Sequence, residues 1–533
     1  MNSITTPQSP ETTAIIARAR RQSLGDILKR SAGRYPEVSA IECGSHIAWT
    51  YAEFDALCDA LAAGLLAEGL SKGDRIAVLA RNSHSFALLR FALARAGGVL
   101  VPINFKLNAD EVAYILEHSG ARTLCIDAEF ADVGRKAAEQ VGGDFRFWGL
   151  EDEAAASPEN VPSLNELAHA STPGSALEAV QVGGDDLAQI IYTSGTESKP
   201  KGALLKHDSV IWEYVTCLVD TAIEAGDVML HALPLYHCAQ LDVFLGPSIY
   251  VGGTNIITAA PTPDNIIEKI SKRGITSFFA PPTVWIAILR DPRSTAEALA
   301  SLRKGYYGAS IMPVEILKEL IERFPELRLW NLYGQTEIAP VATVLQPEEQ
   351  LAKAGSAGLP ALNVETRVVD DAGHDVAVGE IGEVVHRSPQ LLSGYFNDPE
   401  RTAEAFVGGW FHSGDLATRD DDGYITIVDR KKDMIKSGGE NVSSREVEEV
   451  IYELGEVSEV AVVGVPDDKW IEAVCAVVVL KDGETLDEQR LIDHCAGNLA
   501  GFKTPKRVAF VDALPKNPSG KVLKRELREQ VQG

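Results

Sequence analysis

The chain has 533 residues, 45% hydrophobic and 24% charged, which is enough to bury more than one core without disulfides or metals. Its formal charge of −26 excludes a surface built to neutralise nucleic-acid phosphates, which needs clustered lysine and arginine. The seven cysteines include no C-x-x-C pair and no zinc-type Cys/His spacing, so a reduced, cytoplasmic setting is expected.

The first ~20 residues are Ser/Thr/Pro-rich and then basic, and read as a loose arm without a secretory apolar core. Thr50 and Glu53 form a capping box, and Phe54, Leu57, Leu61 and Leu65 follow at helical spacing. A buried strand is expected from Arg75 to Ala80, a helix from Ser83 to Ala96 and a second strand from Val99 to Ile103. Asn108 caps a further helix with Glu111, and Thr123 to Ile126 reads as strand. This alternation implies a mostly parallel α/β sheet. The polar stretch from Gly142 to Asp186 reads as a surface excursion. The longest uncharged stretch, Val243 to Pro263, contains Pro247, Gly252 and Gly253, so it reads as buried strand and loop rather than a membrane span. Past Ile381 short strands and glycine turns take over, and the charged run Asp429-Arg430-Lys431-Lys432-Asp433 marks a boundary at Lys432.

The apolar run Ile190-Ile191-Tyr192 leads straight into Thr193-Ser194-Gly195-Thr196-Glu197-Ser198-Lys199-Pro200-Lys201-Gly202. Hydroxyls, glycine and lysines at this density suit a loop that wraps phosphate, with N–H and hydroxyl donors and the charge of Lys201. It is not a Walker A loop, because no G-K-[ST] triplet follows. A solvated Ser/Lys turn has the same composition.

T-S-G-T-x-x-x-P-K-G after an apolar strand resembles the signature of the acyl-adenylate-forming superfamily: acyl-CoA synthetases, luciferases and peptide-synthetase adenylation domains. Further blocks resemble that family in order: Tyr333-Gly334-Gln335-Thr336-Glu337, Trp410-Phe411-His412-Ser413-Gly414-Asp415 (Ser413 in place of the usual Thr), Asp429 to Asp433, Lys436-Ser437-Gly438-Gly439-Glu440-Asn441, and Pro515 to Lys521. The resemblance is strongest to stand-alone bacterial fatty-acid or aryl-acid CoA ligases. It implies an α/β fold with a large N-terminal domain, residues 1–431, made of α/β subdomains and a β-barrel-like part. A small mobile α+β domain, residues 432–533, would turn on a hinge at Lys432.

The implied activity is an acid–thiol ligase that makes an acyl-AMP from ATP and a hydrophobic carboxylic acid, then an acyl-CoA. ATP and coenzyme A are co-substrates and Mg²⁺ the cofactor, with Thr193 and Glu337 as metal ligands and Lys521, Glu337 and Thr193 as catalytic groups. ATP would be held by Thr193, Ser194, Gly195, Thr196, Lys201, Gly308, Ala309, Ser310, Asn331, Tyr333, Gly334, Gln335, Thr336, Asp415, Arg430 and Lys521. The acid would meet His237, Val284, Gly308 and Gly334. Coenzyme A would meet Lys436, Ser437, Gly438, Gly439, Glu440 and Trp470. No nucleic acid and no integral membrane contact are implied, and a homodimer is among the expected assemblies. A peptide-synthetase-type module is disfavoured, because amino-acid activators place an acid just after the position of His237. Here Cys238-Ala239-Gln240-Leu241 intervene before Asp242. A luciferase-like oxygenase shares every motif, whereas a nucleotide-binding regulator without catalysis sits poorly with both Glu337 and Lys521.

Overall fold

A computed structural model of the chain describes residues 9–153, 156–193, 199–310, 312–437, 440–467, 469–516 and 522–531. It divides into two compact units. The first is Met1–Pro261 with two short returns of the later chain, Thr336–Pro340 and Pro389–Pro399. The second is Thr262–Gln335, Val341–Ser388 and Glu400–Gly533.

In the first unit the local signals act as the sequence suggests. Thr50 accepts from the N–H of Glu53 while the Glu53 carboxylate takes the N–H of Thr50, which starts helix Tyr51–Ala67. Asn108 and Glu111 start helix Ala109–Ser119 in the same way, and Gly120 ends it in the left-handed conformation. Strands Arg146–Gly149, Thr123–Ile126, Arg75–Leu79, Val99–Pro102 and Leu187–Thr193 run parallel, and Lys201–Lys206 closes the sheet antiparallel to Leu187–Thr193. A second layer pairs Val228–His231, Thr254–Ile257 and Ser39–Cys43 in parallel, with Ile47–Thr50 as a hairpin partner. The helices bury their apolar faces against these sheets, with Phe54, Leu61, Phe86, Leu89 and Phe91 fully inside.

Three segments differ from expectation, the first being Pro10–Ala19, read as part of a loose arm but a helix capped by Ser9 with no buried residue. Arg146–Gly149 is an edge strand inside the stretch read as a surface excursion. Its four residues carry too little pattern alone and become strand by pairing with Thr123–Ile126. The uncharged stretch from Val243 is largely helical: a π-turn at Ala239–Leu245 runs into helix Gly246–Val251 before strand Thr254–Ile257. Pro247 sits in the first helical turn, where no N–H is needed, and Gly252 supplies the left-handed C-cap.

In the second unit, Ser277–Phe279, Lys304–Gly308 and Arg328–Gly334 are parallel, and Val341–Leu345 pairs antiparallel with the last of these. The barrel-like part is a five-stranded antiparallel sheet of Glu365–Val369, Gly382–Arg387, Phe406–Val407, Trp410–Arg419 and Ile425–Arg430. Downstream, Ile435–Ser437, Glu440–Val442, Val457–Asp467, Ile471–Leu480 and Arg507–Phe510 form a separate sheet. Its two buried clusters, one centred on Val447, Ile451 and Val474 and the other on Val463, Cys475 and Leu527, draw only on residues after Met434.

Candidate active site

The segment from Leu187 to Lys206 is a hairpin. Thr193, the last residue of its strand, pairs with Lys201, the first of the return strand. Ser194, Gly195 and Thr196, with Glu197 and Ser198, lie between them, outside the described residues. Helix Ala109–Ser119 braces the described part of the loop: Tyr114 donates to the carbonyl of Pro200 at 3.2 Å, and Lys199 lies over the Tyr114 ring. Gly202 has no room for a side chain, since a Cβ would meet Ile190 at 2.8 Å.

Both returns of the later chain meet this hairpin. The return Thr336–Pro340 carries Glu337, whose Oε1 accepts from the Tyr395 hydroxyl at 2.9 Å. The Tyr395 ring lies 5.1 Å from Lys201 Nζ, and Tyr395 bridges Ala203 of the return strand. Thr193, Lys201, Thr336 and Glu337 therefore belong to one neighbourhood. Tyr395 was not legible as a member of it, because it lies 58 positions beyond Glu337. The one local signal was Gly394, which adopts φ 144°, a conformation open to glycine.

The segment around His237 belongs to the same unit. His237 Nδ1 accepts the N–H of Ala239 at 3.1 Å, which assigns the ring proton of the neutral imidazole to Nε2. Cys238 Sγ lies 3.3 Å from the Thr336 hydroxyl, joining the segment to the residue before Glu337. Asp242 is fully buried and paired with Arg90 at 3.1 Å, and Gln189 and Tyr214 donate to it at 2.7 and 3.2 Å. Burial pushes its pKa upward while Arg90 opposes the shift.

Asp415 and Arg430 lie in the second unit. Asp415 and Arg430 face each other across antiparallel strands, with Arg430 Nε 2.9 Å from Asp415 Oδ1. The Tyr333 hydroxyl donates to Asp415 Oδ2 at 2.7 Å, and burial drives the Tyr333 pKa well up. Ser413 meets the need of the usual threonine: its hydroxyl donates to the Val384 carbonyl at 2.6 Å and accepts from Asp415 N–H at 3.0 Å. Gly308 is required by the sheet itself, since a Cβ there would lie 2.3 Å from the Leu332 carbonyl oxygen. Ala309, at φ 63°, and Ser310 follow as exposed residues at the strand end, and Gly334 is likewise exposed. Asn331 donates to the Ser356 carbonyl at 2.8 Å, and Gln335 keeps a buried Nε2 donor with no hydrogen-bond partner among the described residues. Val284 is half-buried on helix Pro282–Arg290.

Farther along, the N–H of Lys436 donates to Glu472 at 2.7 Å, and the buried Ser437 hydroxyl has no partner among the described residues. Glu440 is exposed. Trp470 lies between Lys469 and Lys506, with ammonium nitrogens 5.1 and 4.9 Å from its ring. Gly438, Gly439 and Lys521 lie outside the described residues. The flanks of Lys521 are described: Lys516 bridges Val522, and the N–H of Leu523 donates to the Pro515 carbonyl at 2.8 Å.

Residues 28–396 match the family of AMP-binding enzymes, and residues 446–521 match the C-terminal domain of those enzymes. The chain belongs to this family. A feruloyl-CoA synthase of an Amycolatopsis species is 38% identical over 96% of this chain and 99% of its own length. The long-chain-fatty-acid–CoA ligase FadD13 of Mycobacterium tuberculosis is 36% identical over 96% and 98%. Among solved structures, ATP-bound MatB from Rhodopseudomonas palustris superposes with a TM-score of 0.87 at 31% identity, covering 96% of this chain and 99% of that one. The anthranilate-CoA ligase AuaEII with anthranoyl-AMP gives 0.88 at 26% identity, covering 96% and 97%. The mixed α/β fold with a large N-terminal and a small C-terminal part is thereby met. No helix among the described residues is long and apolar enough to cross a membrane.

Proposed function

We propose that this AMP-binding enzyme is an AMP-forming acyl-CoA ligase for a hydrophobic, fatty or aryl, monocarboxylic acid. In the first half-reaction the acid carboxylate attacks the α-phosphorus of ATP and pyrophosphate leaves, giving the acyl-adenylate. In the second, the thiolate of coenzyme A attacks the acyl carbonyl, the C–O bond to phosphate breaks, and AMP leaves. The observation that carries the reading is that the carboxylate Glu337 and the loop cation Lys201 both meet a single side chain, Tyr395.

In the first half-reaction charge gathers on phosphate oxygens, so catalysis is mainly positioning and electrostatic stabilisation. Thr193 and the N–H groups of the loop after it would hold phosphate oxygens, with Lys201 supplying charge. Lys521 would reach the α-phosphate and the acid carboxylate. Asp415 and Arg430 would take the ribose, and Asn331 to Thr336 with Gly308 to Ser310 the adenine. The Gln335 donor, without a partner among the described residues, suits a ring nitrogen. Mg²⁺ fits the donor set at the phosphates: hard oxygens from Thr193 and Glu337, one carboxylate in all, is how this ion is held when substrate phosphates complete its shell. It would neutralise phosphate charge there.

The acid would meet His237 with Val284, Gly308 and Gly334. Asp242 is fully buried and its charge is already matched by the buried Arg90, with Gln189 and Tyr214 donating to it, so it is not placed to meet a substrate ammonium. For coenzyme A we assign Lys436, Ser437, Gly438, Gly439, Glu440 and Trp470, the last flanked by two ammonium groups suited to an anionic nucleotide. We place the domain boundary at Lys432, between residues 1–431 and 432–533. The self-contained cores after Met434 support it. The all-free cysteines suit a cytoplasmic setting, and sedimentation tests the expected homodimer.

The test is AMP release from ATP, Mg²⁺ and CoA with a panel of acids. Saturable release with hexanoate-like or benzoate-like acids is expected. Activation of a standard amino acid in preference to these would overturn the reading.

A further inference from the structure

We infer that Tyr395 is a positioning residue for adenylation, one that fixes the Glu337 carboxylate against the phosphate hairpin. The inference rests on the reading of Glu337 as the Mg²⁺ ligand and adds what holds that ligand in place.

The segment around Tyr395 is itself held. The N–H of Ser393 donates to the Leu204 carbonyl, that of Leu204 to Gly394, and that of Phe396 to Gly202, at 2.9, 3.0 and 2.8 Å. The segment thus adds rungs to the strand leaving the hairpin loop, and these hold the backbone that carries Tyr395. Its other end grips the Glu337 backbone. The N–H of Leu392 donates to the Glu337 carbonyl at 2.8 Å, and Gln390 Nε2 donates to the Ile338 carbonyl at 3.1 Å. Gln390 is anchored in turn by the buried Glu213 carboxylate and the Thr216 hydroxyl, both at 2.6 Å. One stretch of chain therefore holds Glu337 by backbone and side chain while it pairs with the return strand that starts at Lys201.

The chemical consequence lies in the carboxylate. Two oxygens share its charge, and the phenol of Tyr395 occupies Oε1. Held through Oε1, the carboxylate would offer Oε2 and the remaining lone pair of Oε1 to a cation, in an orientation set by the phenol. Mg²⁺ tolerates little departure from octahedral geometry, so a carboxylate free to rotate would be a poorer ligand. The ring separately lies 5.1 Å from Nζ of Lys201, the cation that would face the same phosphates. A purely packing role predicts instead that phenylalanine replaces Tyr395 without effect.

Tyr395→Phe removes the hydroxyl and keeps the ring. Pyrophosphate exchange of the full chain is measured against Mg²⁺ at saturating ATP. The midpoint Mg²⁺ concentration is expected to rise ~5-fold or more and the maximal rate to fall roughly 10-fold, as loss of a hydrogen bond to a charged group does. Transfer from preformed acyl-adenylate to CoA should stay within about 2-fold, and the melting temperature should not move. Tyr395→Leu, which also strips the ring from Lys201, should raise KM for ATP in addition. The double variant Tyr395→Phe with Glu337→Gln should be no slower than Glu337→Gln alone, because both act through one carboxylate. Wild-type Mg²⁺ dependence in Tyr395→Phe, or multiplying effects in the double variant, overturns the inference. Wild-type Mg²⁺ dependence in Glu337→Gln removes the metal reading itself, whatever Tyr395→Phe does.

Discussion

Replacing Asp415 by asparagine tests the ribose assignment. The carboxylate is nearly buried and accepts from Arg430 Nε at 2.9 Å and from the Tyr333 hydroxyl at 2.7 Å. An asparagine can keep both neighbours if its carbonyl takes Arg430 and its amide donates to a reoriented Tyr333 hydroxyl. The Arg430 side chain is 35% exposed, so water relieves its unpaired charge, and the stability cost should stay near ~1 kcal/mol. The substrate feels the change more. Hydrogen bonds to a charged acceptor are worth ~1.5–3 kcal/mol net, against ~1 for neutral ones. Two ribose hydroxyls would therefore lose ~2 kcal/mol together, about 30-fold in kcat/KM for ATP. Pyrophosphate exchange against ATP concentration, alongside thermal melting, measures both effects. A kcat/KM within about 3-fold of wild type, in a protein with an unchanged melting temperature, would refute the assignment.

The other tests are quickly stated. Lys521→Ala should slow adenylation by ~10²-fold while transfer from preformed adenylate to CoA falls much less; equal losses in the two steps would count against that role. Lys432→Pro fixes φ near −65° at the proposed hinge, and should leave adenylation largely intact while CoA transfer collapses. Parallel changes in the two rates would place the hinge elsewhere. Burial lowers His84, His231 and His386 from near 6.5 to about 4, and His207 to about 3. These groups stay neutral when folded but take up protons when unfolded. Stability should therefore be full above pH ~6.5 and fall as pH drops toward ~4, and a melting temperature flat from pH 7 to 5 would contradict this.

Local chemistry was legible and long-range pairing was not. The boxes Thr50/Glu53 and Asn108/Glu111 act within one helical turn, so three residues suffice to read them. Pro247 and Gly252 were taken as breakers, yet they are the first turn and the C-cap of one short helix. Arg146–Gly149 has no pattern of its own and is a strand by its neighbour. In the site, runs such as Tyr333 to Glu337 announced themselves by resemblance. The side chains that orient them did not, because Tyr395 meets Glu337, Tyr333 meets Asp415 and Arg90 meets Asp242 only after folding, at separations of 58, 82 and 152 residues.

The Arg90–Asp242 pair also bears on what acid the enzyme takes. From sequence, Asp242 is the first carboxylate after His237, and it could have anchored a substrate ammonium. Folded, it is the hub of a dry network: Arg90 and Asp242 are both at most 2% exposed, and Gln189 and Tyr214 complete the set. Turning Asp242 toward a substrate would strand the Arg90 guanidinium, and breaking a buried pair costs ~3–5 kcal/mol. That is most of the gain an ammonium–carboxylate contact could return. The π-turn that begins at Ala239 carries the carboxylate inward, and the segment leaves His237 and Cys238 as its polar groups beside Thr336. Were this segment to line the acid site as proposed, such side chains would discriminate by shape, the choice among alkyl and aryl acids would rest on volume, and an α-amino group would meet no counter-charge in the segment.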